Sequence, residues 1–389
     1  MPERIKKLFN IACMNILALH SSSGLYGSSK VFLESIKTFV QEGYTVTAVV
    51  SEEGPLCNEI RKTNTSVHII RLGVIRRKYF NPIGVINRLY YSIKAFYSLK
   101  KIIQEKNIDL VYSNTTAVLT GALAAKATGK KHIWHVHEII EGPSILVRLI
   151  SWMMNHYCTS LIAVSQAVIN HWKKNKVITK FELVYNGFDY TQFHPSLSTL
   201  KEELKIKDDT IIIGTIGRIN NIKGQDYFLQ IAGKLMATNH QLAFIIVGDA
   251  LPGNEKLLDE LKRIASKENI TKDVFFTGFR NDINNVLNAF DIFILPSILP
   301  DSLPTVVLEA MAAGKPVAAT KKAGAMEMVM ENETGLFIPL HNVVEAAKRI
   351  EILISNKELQ LQMGTAGKIR VHEYFSLALF QQNIIKAIQ

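Results

Sequence analysis

Pro296-Ser297-Ile298-Leu299-Pro300-Asp301-Ser302-Leu303-Pro304-Thr305-Val306-Val307-Leu308-Glu309-Ala310 is the stretch whose reading decides the fold, and it runs on through Met311 to Pro316. The apolar run before it, Ile292 to Leu295, reads as a buried strand. Polar residues and prolines then break that pattern. A helix is expected from about Pro304, with apolar residues at helical spacing and a stop at Gly314. Proline suits the first helical position, because its missing N–H would have no partner there. The N–H groups of Thr305 and Val306 then carry the positive end of the helix dipole outward, which suits an anion. Asp301 precedes the turn, and Glu309 lies about one and a half turns into the helix. A phosphate ester whose hydroxyls are gripped on either side would meet such a pair of carboxylates. A plain strand, turn and helix with one solvated Glu fits the stretch equally well.

The 389 residues favour two domains, and 48% hydrophobic with 20% charged content describes a globular chain with ample core. Cys13, Cys57 and Cys158 show neither paired nor metal-like spacing, which fits a reducing, cytoplasmic setting. The net charge of +11 is uneven: residues 1–200 hold 24 Lys and Arg against 12 Asp and Glu, leaving 21 against 22 in the remainder. The two halves therefore meet different partners. Arg4, Lys6 and Lys7 before Leu8–Leu19 imitate a signal peptide, but Asn10 and Asn15 interrupt the run. A first strand entering a Gly/Ser loop is the better reading, with residues 1–13 an upstream extension. No segment is apolar enough to span a bilayer.

Short apolar runs alternate with helical patterns along both halves. Strands are expected at Ile16–Leu19, Val46–Val50, Val67–Ile70, Leu110–Tyr112, Ile133–Val136 and Leu161–Val164. The second half adds Ile211–Ile216, Ala243–Val247, Val274–Thr277, Ile292–Leu295 and Val317–Thr320. This alternation implies parallel sheets covered by helices on both faces. The polar segment 194–209 reads as the connection between the halves. Ligands of such sheets sit at the carboxyl ends of strands, so the loops after Leu19, Val136, Ile216, Val247, Thr277 and Leu295 are the ones to inspect.

Gly214-Thr215-Ile216-Gly217-Arg218, followed by Lys223-Gly224, brings glycines for close backbone approach and two cations that suit phosphate oxygens. Gly24-Leu25-Tyr26-Gly27 closes the first strand; it matches neither a dinucleotide fingerprint nor a Walker loop. It reads either as a flexible lead into a helix or as backbone N–H groups from Gly24 and Gly27 set against a phosphate. In Trp134-His135-Val136-His137-Glu138, strand alternation puts His135 and His137 on one face, and His137 lies nearest the strand end. No metal set accompanies it. The stretch from Arg71 to Lys106 is rich in Lys and Arg with a single acid, Glu105. Tyr79, Phe80, Tyr90, Tyr91, Phe96 and Tyr97 lie among them. That mixture suits an anionic membrane surface, a solvated basic helix or, last, nucleic acid.

The ordered set of these motifs resembles glycosyltransferase family 4, the group 1 glycosyltransferases, over essentially the whole chain. It runs from Gly24–Gly27 through His137-Glu138, Val164-Ser165, Asn186-Gly187-Phe188-Asp189 and Gly217-Arg218. Lys223-Gly224, Val247-Gly248-Asp249, Gly278, Pro296-Ser297 and Glu309-Ala310-Met311-Ala312 continue it, ending with Gly314, Pro316, Gly324, Glu327 and Gly335.

The resemblance implies an α/β fold of GT-B architecture, two Rossmann-like domains whose parallel sheets face each other across a cleft. An acceptor domain is expected over 1–195, a nucleotide-sugar domain over 196–371, and a last helix over 372–389 crossing back. It implies retaining sugar transfer from a UDP- or GDP-sugar to a glycan or lipid-linked acceptor in bacterial-type envelope synthesis. No cofactor or tightly bound metal is expected, and no nucleic-acid partner. Catalytic roles fall to His137, Asp301, Arg218 and Lys223. Donor contacts fall to Gly24, Gly27, Gly217, Arg218, Lys223 and Gly248. Gly278, Phe279 and Arg280 would meet the base; Asp301, Ser302, Leu303, Pro304, Thr305 and Val306 the sugar and phosphate; Glu309 the ribose. Asp301 stands where the family usually has Glu, and Pro304 where it often has Gly. Two rival readings are another GT-B enzyme, such as an epimerase or phosphorylase, and a nucleic-acid-binding protein using the basic half.

Overall fold

The computed structural model describes residues 14–25, 27–74, 79, 81–238, 241–250 and 253–389. The 1–13 extension lies outside them, as do Tyr26 of the glycine loop and Arg76, Arg77, Lys78 and Phe80 of the basic stretch. The chain forms two compact units, residues 1–187 with 378–389 and residues 188–377.

The first unit is built on strands β1 (Asn15–His20), β2 (Thr45–Val50), β3 (Ser66–Ile69), β4 (Leu110–Asn114), β5 (Lys131–Val136), β6 (Ser160–Ala163) and β7 (Phe181–Leu183). They lie in the order β3-β2-β1-β4-β5-β6-β7, every pair parallel. Strands covered on both faces need continuous apolar runs, and Ile16 to Leu19 are fully buried. Helix α1 (Gly27–Gln41) follows β1. Helix α2 (Pro82–Glu105) starts where the Asn81 side chain accepts the Gly84 N–H at 2.8 Å. It packs on α3 (Thr120–Ala127), which packs on α4 (Ser144–Tyr157). The core between these helices and the sheet includes Leu17, Val111, Ala95 and Leu99.

The second unit has β8 (Ile211–Ile216), β9 (Leu242–Val247), β10 (Val274–Gly278), β11 (Ile292–Leu295), β12 (Val317–Thr320) and β13 (Gly335–Ile338). The order is β10-β9-β8-β11-β12-β13, again all parallel. Helices α5 (Gln225–Leu235) and α6 (Thr305–Ala312) follow β8 and β11. Phe228 on α5 meets Phe244 on β9 edge to face at 6.0 Å, inside the main apolar cluster. In each sheet the strand order reverses once, between β1 and β4 and between β8 and β11. Loops leaving those neighbours diverge and open a crevice at the carboxyl edge.

Three sequence expectations need correcting. Strands β7 and β13 are additional to the expected ones. The first is three residues long, and the second opens with Gly335, where an added Cβ would lie 2.1 Å from the Val317 carbonyl oxygen. The segment 194–209 is no free connection: it carries a turn of helix at Leu200–Glu203, and Asn285 and Asn288 hold Ser198 and Ser196 against the second unit. Pro304 is the N-cap rather than the first helical residue, which is Thr305. The final helix α7 spans Leu377–Ile388. Its residues from Ala378 onward belong with the first unit, where Gln381 donates to Gln41 at 3.2 Å.

Candidate active site

In the second unit the expected donor residues collect around the reversal point of the sheet. Gly217 leaves β8 with its N–H on the Val247 carbonyl at 2.9 Å. Gly248, leaving β9, has φ +131, and a Cβ there would fall 2.2 Å from the Gly217 carbonyl oxygen. Only glycine permits both the angle and that approach. Gly224, at the N-cap of α5, has φ +69, and its missing Cβ would sit 2.0 Å from the Pro296 carbonyl oxygen. The loop after β8 is thereby pressed onto the loop after β11, where Ile298 N–H donates to the Ile222 carbonyl at 3.0 Å.

That contact carries Lys223 to Asp301. Lys223 Nζ donates to Asp301 Oδ2 at 2.5 Å, with both side chains about four-fifths covered. The Asp301 loop is fixed from behind by Gly324 N–H on the Asp301 carbonyl at 3.0 Å and by Thr320 Oγ1 on the Ser297 carbonyl at 2.7 Å. Lys322 Nζ reaches the Ile298 carbonyl at 2.9 Å. Arg218 is half-buried beside Gly217. Helix α6 starts with no side chain capping its first N–H groups, so Thr305 and Val306 present the positive dipole end at this edge. Ser302 is half-buried and Leu303 is buried beneath that turn. Glu309 is buried within α6, and its carboxylate helps burial push the Tyr190 phenol up, burial being the larger cause.

The base-side residues divide. Gly278 ends β10 at φ +69, and its carbonyl accepts the Gly248 N–H at 2.8 Å. Phe279 is half exposed, with its N–H on Asp249 Oδ2 at 2.9 Å. Arg280 is already engaged: its guanidinium is held by Asp282 and Glu203, each at 2.6 Å. The hydrogen bonds from Arg280, and less so from Asn285, hold the Asp282 carboxyl well below the usual carboxylate range.

His137, Gly24 and Gly27 belong to the first unit, whose carboxyl edge is built differently. His137 Nε2 lies 2.8 Å from Asn114 Oδ1 at the end of β4. Burial, then the neighbouring His135 and His20, push His137 well below the usual imidazole value, so it is neutral. Burial likewise lowers His135 and His132 to about 3. Glu138 turns back to accept from Thr116 N–H at 3.1 Å, Thr116 Oγ1 at 3.0 Å and Thr115 Oγ1. It fastens the β4 and β5 ends together. Gly27 is the first residue of α1, with open space where a Cβ would stand.

Sequence reasoning passed over His20, Asn114 and Tyr190. Inspecting the loop after β4 by the same strand-end rule would have found Asn114, since it closes that strand. Among the described residues there is no group of three His, Cys, Asp or Glu side chains able to hold a metal ion.

Two doubly wound parallel sheets, with a lysine, a carboxylate and a helix N-terminus at the reversal point of one, define the class: a GT-B α/β protein. The family model of the group 1 glycosyl transferases matches residues 198–370, and that of glycosyltransferase family 4 matches residues 26–192. The chain belongs to this family and is a glycosyltransferase. It is similar to the UDP-Gal:alpha-D-GlcNAc-diphosphoundecaprenol alpha-1,3-galactosyltransferase of Escherichia coli, 25% identical over 336 residues, covering 82% of each chain. The capsular polysaccharide biosynthesis glycosyltransferase CapM of Staphylococcus aureus is 25% identical over 346 residues, or 84% of this chain and 90% of that one. Among solved structures, Anabaena HepE in complex with UDP and glucose superposes with a TM-score of 0.82 at 24% identity, over 96% of this chain and 99% of that one.

Proposed function

We propose that the protein transfers a sugar, with retention, from a UDP- or GDP-sugar to a glycan or lipid-linked acceptor of bacterial envelope polysaccharide or glycolipid synthesis. The observation that carries this is the convergence of Lys223, Asp301 and the α6 N-terminus where β8 and β11 diverge. As the anomeric bond breaks, negative charge grows on the leaving diphosphate. Arg218, Lys223 and the N–H groups of Thr305 and Val306 stabilise it without a bound metal. Asp301, one methylene shorter than the family's usual Glu, grips a sugar hydroxyl and orients Lys223. Glu309 holds the ribose hydroxyls and Phe279 stacks on the base, while His137, in the first unit, offers its neutral imidazole to a sugar hydroxyl. Arg280, already paired twice, shapes the base loop instead.

The names of the similar proteins support an undecaprenyl-type or capsule-related acceptor, and make UDP-galactose the first donor to try. A lipid-linked acceptor also suits the exposed Ile86, Leu89, Tyr90, Ile93 and Tyr97 of α2, which lie among basic residues such as Lys94 and Lys101. Among the described residues no helix is long and apolar enough to cross a membrane.

A panel of UDP- and GDP-sugars should give one donor that shifts the melting temperature and is turned over. Lys223→Ala and Arg218→Ala should each lose about a hundredfold or more in kcat while keeping the native fold. Near-normal turnover in both variants would remove the anion-site reading.

A further inference from the structure

We infer that Asn114 is a positioning residue that fixes the proton of His137 on Nε2 and keeps Nδ1 as an acceptor for a substrate hydroxyl. This rests on the reading that His137 meets the sugar. The argument is one of donors and acceptors. Asn114 is completely buried, and its Nδ2 lies 3.0 Å from the Ser28 carbonyl oxygen. A carbonyl oxygen only accepts, so the amide nitrogen must face it and Oδ1 must face the other way. Oδ1, also only an acceptor, stands 2.8 Å from His137 Nε2. The imidazole must therefore donate from Nε2. In a neutral ring that leaves the lone pair on Nδ1, which can receive an O–H but cannot donate to one.

The surroundings keep the ring neutral. His135, on the same strand, lies 4.4 Å away ring to ring, and Tyr112 on β4 holds its Nδ1 at 2.5 Å. His20 on β1 approaches Asn114 Nδ2 at 3.1 Å and Ser29 Oγ, on α1, at 2.9 Å. The Glu138 carboxylate accepts from the His137 backbone N–H at 3.2 Å rather than from the ring. Burial and the two histidines lower the affinity of His137 for a second proton. The same Asn114 amide ties the start of α1, just past the Gly24–Gly27 loop, to the ends of β1, β4 and β5. It sets the position of the imidazole as well as its proton.

The test uses the full chain with histidine-selective nitrogen-15 labelling, long-range proton–nitrogen correlation, and donor kinetics between about pH 5.5 and 8.5. In the wild type, His137 should show the neutral Nε2–H pattern throughout. This measurement needs no variant to fold. Asn114→Asp places a carboxylate against Nε2–H and should raise the His137 pKa. It should create an acid limb in kcat that the wild type lacks, with KM for the donor little changed. Asn114→Ala should lower kcat by about ten- to a hundredfold. A protonated Nδ1 in the wild type would overturn the inference. So would Asn114→Asp with wild-type kcat and no acid limb beside an inactive His137→Ala, which would leave the role of His137 standing. Wild-type kinetics in His137→Ala would remove both.

Discussion

The two units apply one construction to opposite ends. Each lays a parallel sheet with a single reversal of strand order, and each gathers polar groups at the carboxyl ends of the reversing strands. In the second unit those groups are formal charges on partly open loops, brought together by glycines at positive φ. In the first, the Glu138 carboxylate apart, they are neutral and buried: imidazoles, an amide, a phenol and hydroxyls, most of them hydrogen-bonded to one another. Its excess positive charge lies elsewhere in the chain, Lys94 and Lys101 on α2 among it. A diphosphate needs countercharge and bare backbone N–H groups, whereas a sugar hydroxyl needs an oriented neutral partner. The same architecture supplies either, according to which residues end its strands.

The sharpest way to break the second unit's edge is Gly224→Ala. The methyl would meet the Pro296 carbonyl oxygen at 2.0 Å, and the backbone at φ +69 disfavours any Cβ. Left-handed strain and overpacking together are expected to cost about 3–5 kcal/mol. Chemical denaturation should show that loss, and donor affinity should fall with it as the Lys223 loop lifts from Asp301. A variant of wild-type stability that still binds donor would show that the close approach is not what assembles the site.

A smaller effect separates the units by pH. His132 and His135 titrate at about 3 in the folded protein because burial opposes their charge, against about 6.5 when unfolded. Between those values the unfolded chain binds protons that the folded one does not. Their contribution to stability is thus complete above about pH 6.5 and is lost as pH falls towards 3. Two such histidines imply a loss of about 2 kcal/mol on going from about pH 6.5 to 5.5. Trp134, Trp152 and Trp172, the only tryptophans in the sequence, all lie in the first unit. Tryptophan fluorescence should therefore report an earlier acid transition than nucleotide binding by the second unit. Coincident transitions would show that the buried histidines do not set acid stability.

How far the sequence discloses this contrast depends on the kind of signal. Fully buried parallel strands need apolar runs, so β1, β8 and β11 stand out, and a cation directly after a strand-end glycine marks Arg218, with Lys223 in the same loop. β13 escapes notice because its apolar run, Leu336 to Ile338, is only three residues long behind Gly335. The N-cap at Pro304 differs from the expected position by a single residue, and the outward N–H groups are the same either way. Asn114 is legible only as the residue that closes β4, and His20 and Tyr190 are harder. A buried neutral polar group announces itself through its neighbours, which the fold brings to His20 from α1 and β4 and to Tyr190 as Phe188, Phe193 and His372. Arg280 shows the converse: a cation at a strand end looks available in sequence, while Glu203 and Asp282 have already taken it.

The smallest effect on stability should come from the exposed face of α2, and it bears on the proposed membrane contact of the first unit. Ile86, Leu89, Tyr90 and Ile93 recur at helical spacing and remain exposed, with Ile145, Leu149 and Trp152 of α4 exposed as well. Neither set contributes to the core, so Ile86→Ser with Leu89→Ser should change unfolding free energy by less than about 0.5 kcal/mol per site. Insertion into a headgroup layer would use those same side chains, with Lys94, Lys101 and Arg148 drawn to anionic lipid. The double variant should then lose flotation with anionic vesicles at low salt while keeping full turnover of a soluble acceptor analogue. Unchanged flotation would move membrane contact away from α2, and no flotation of the wild type would favour a soluble acceptor. Absence of wild-type flotation would leave the surplus charge of the first unit without a lipid role, whereas unchanged flotation of the double variant would assign that role to charge rather than to the apolar face of α2.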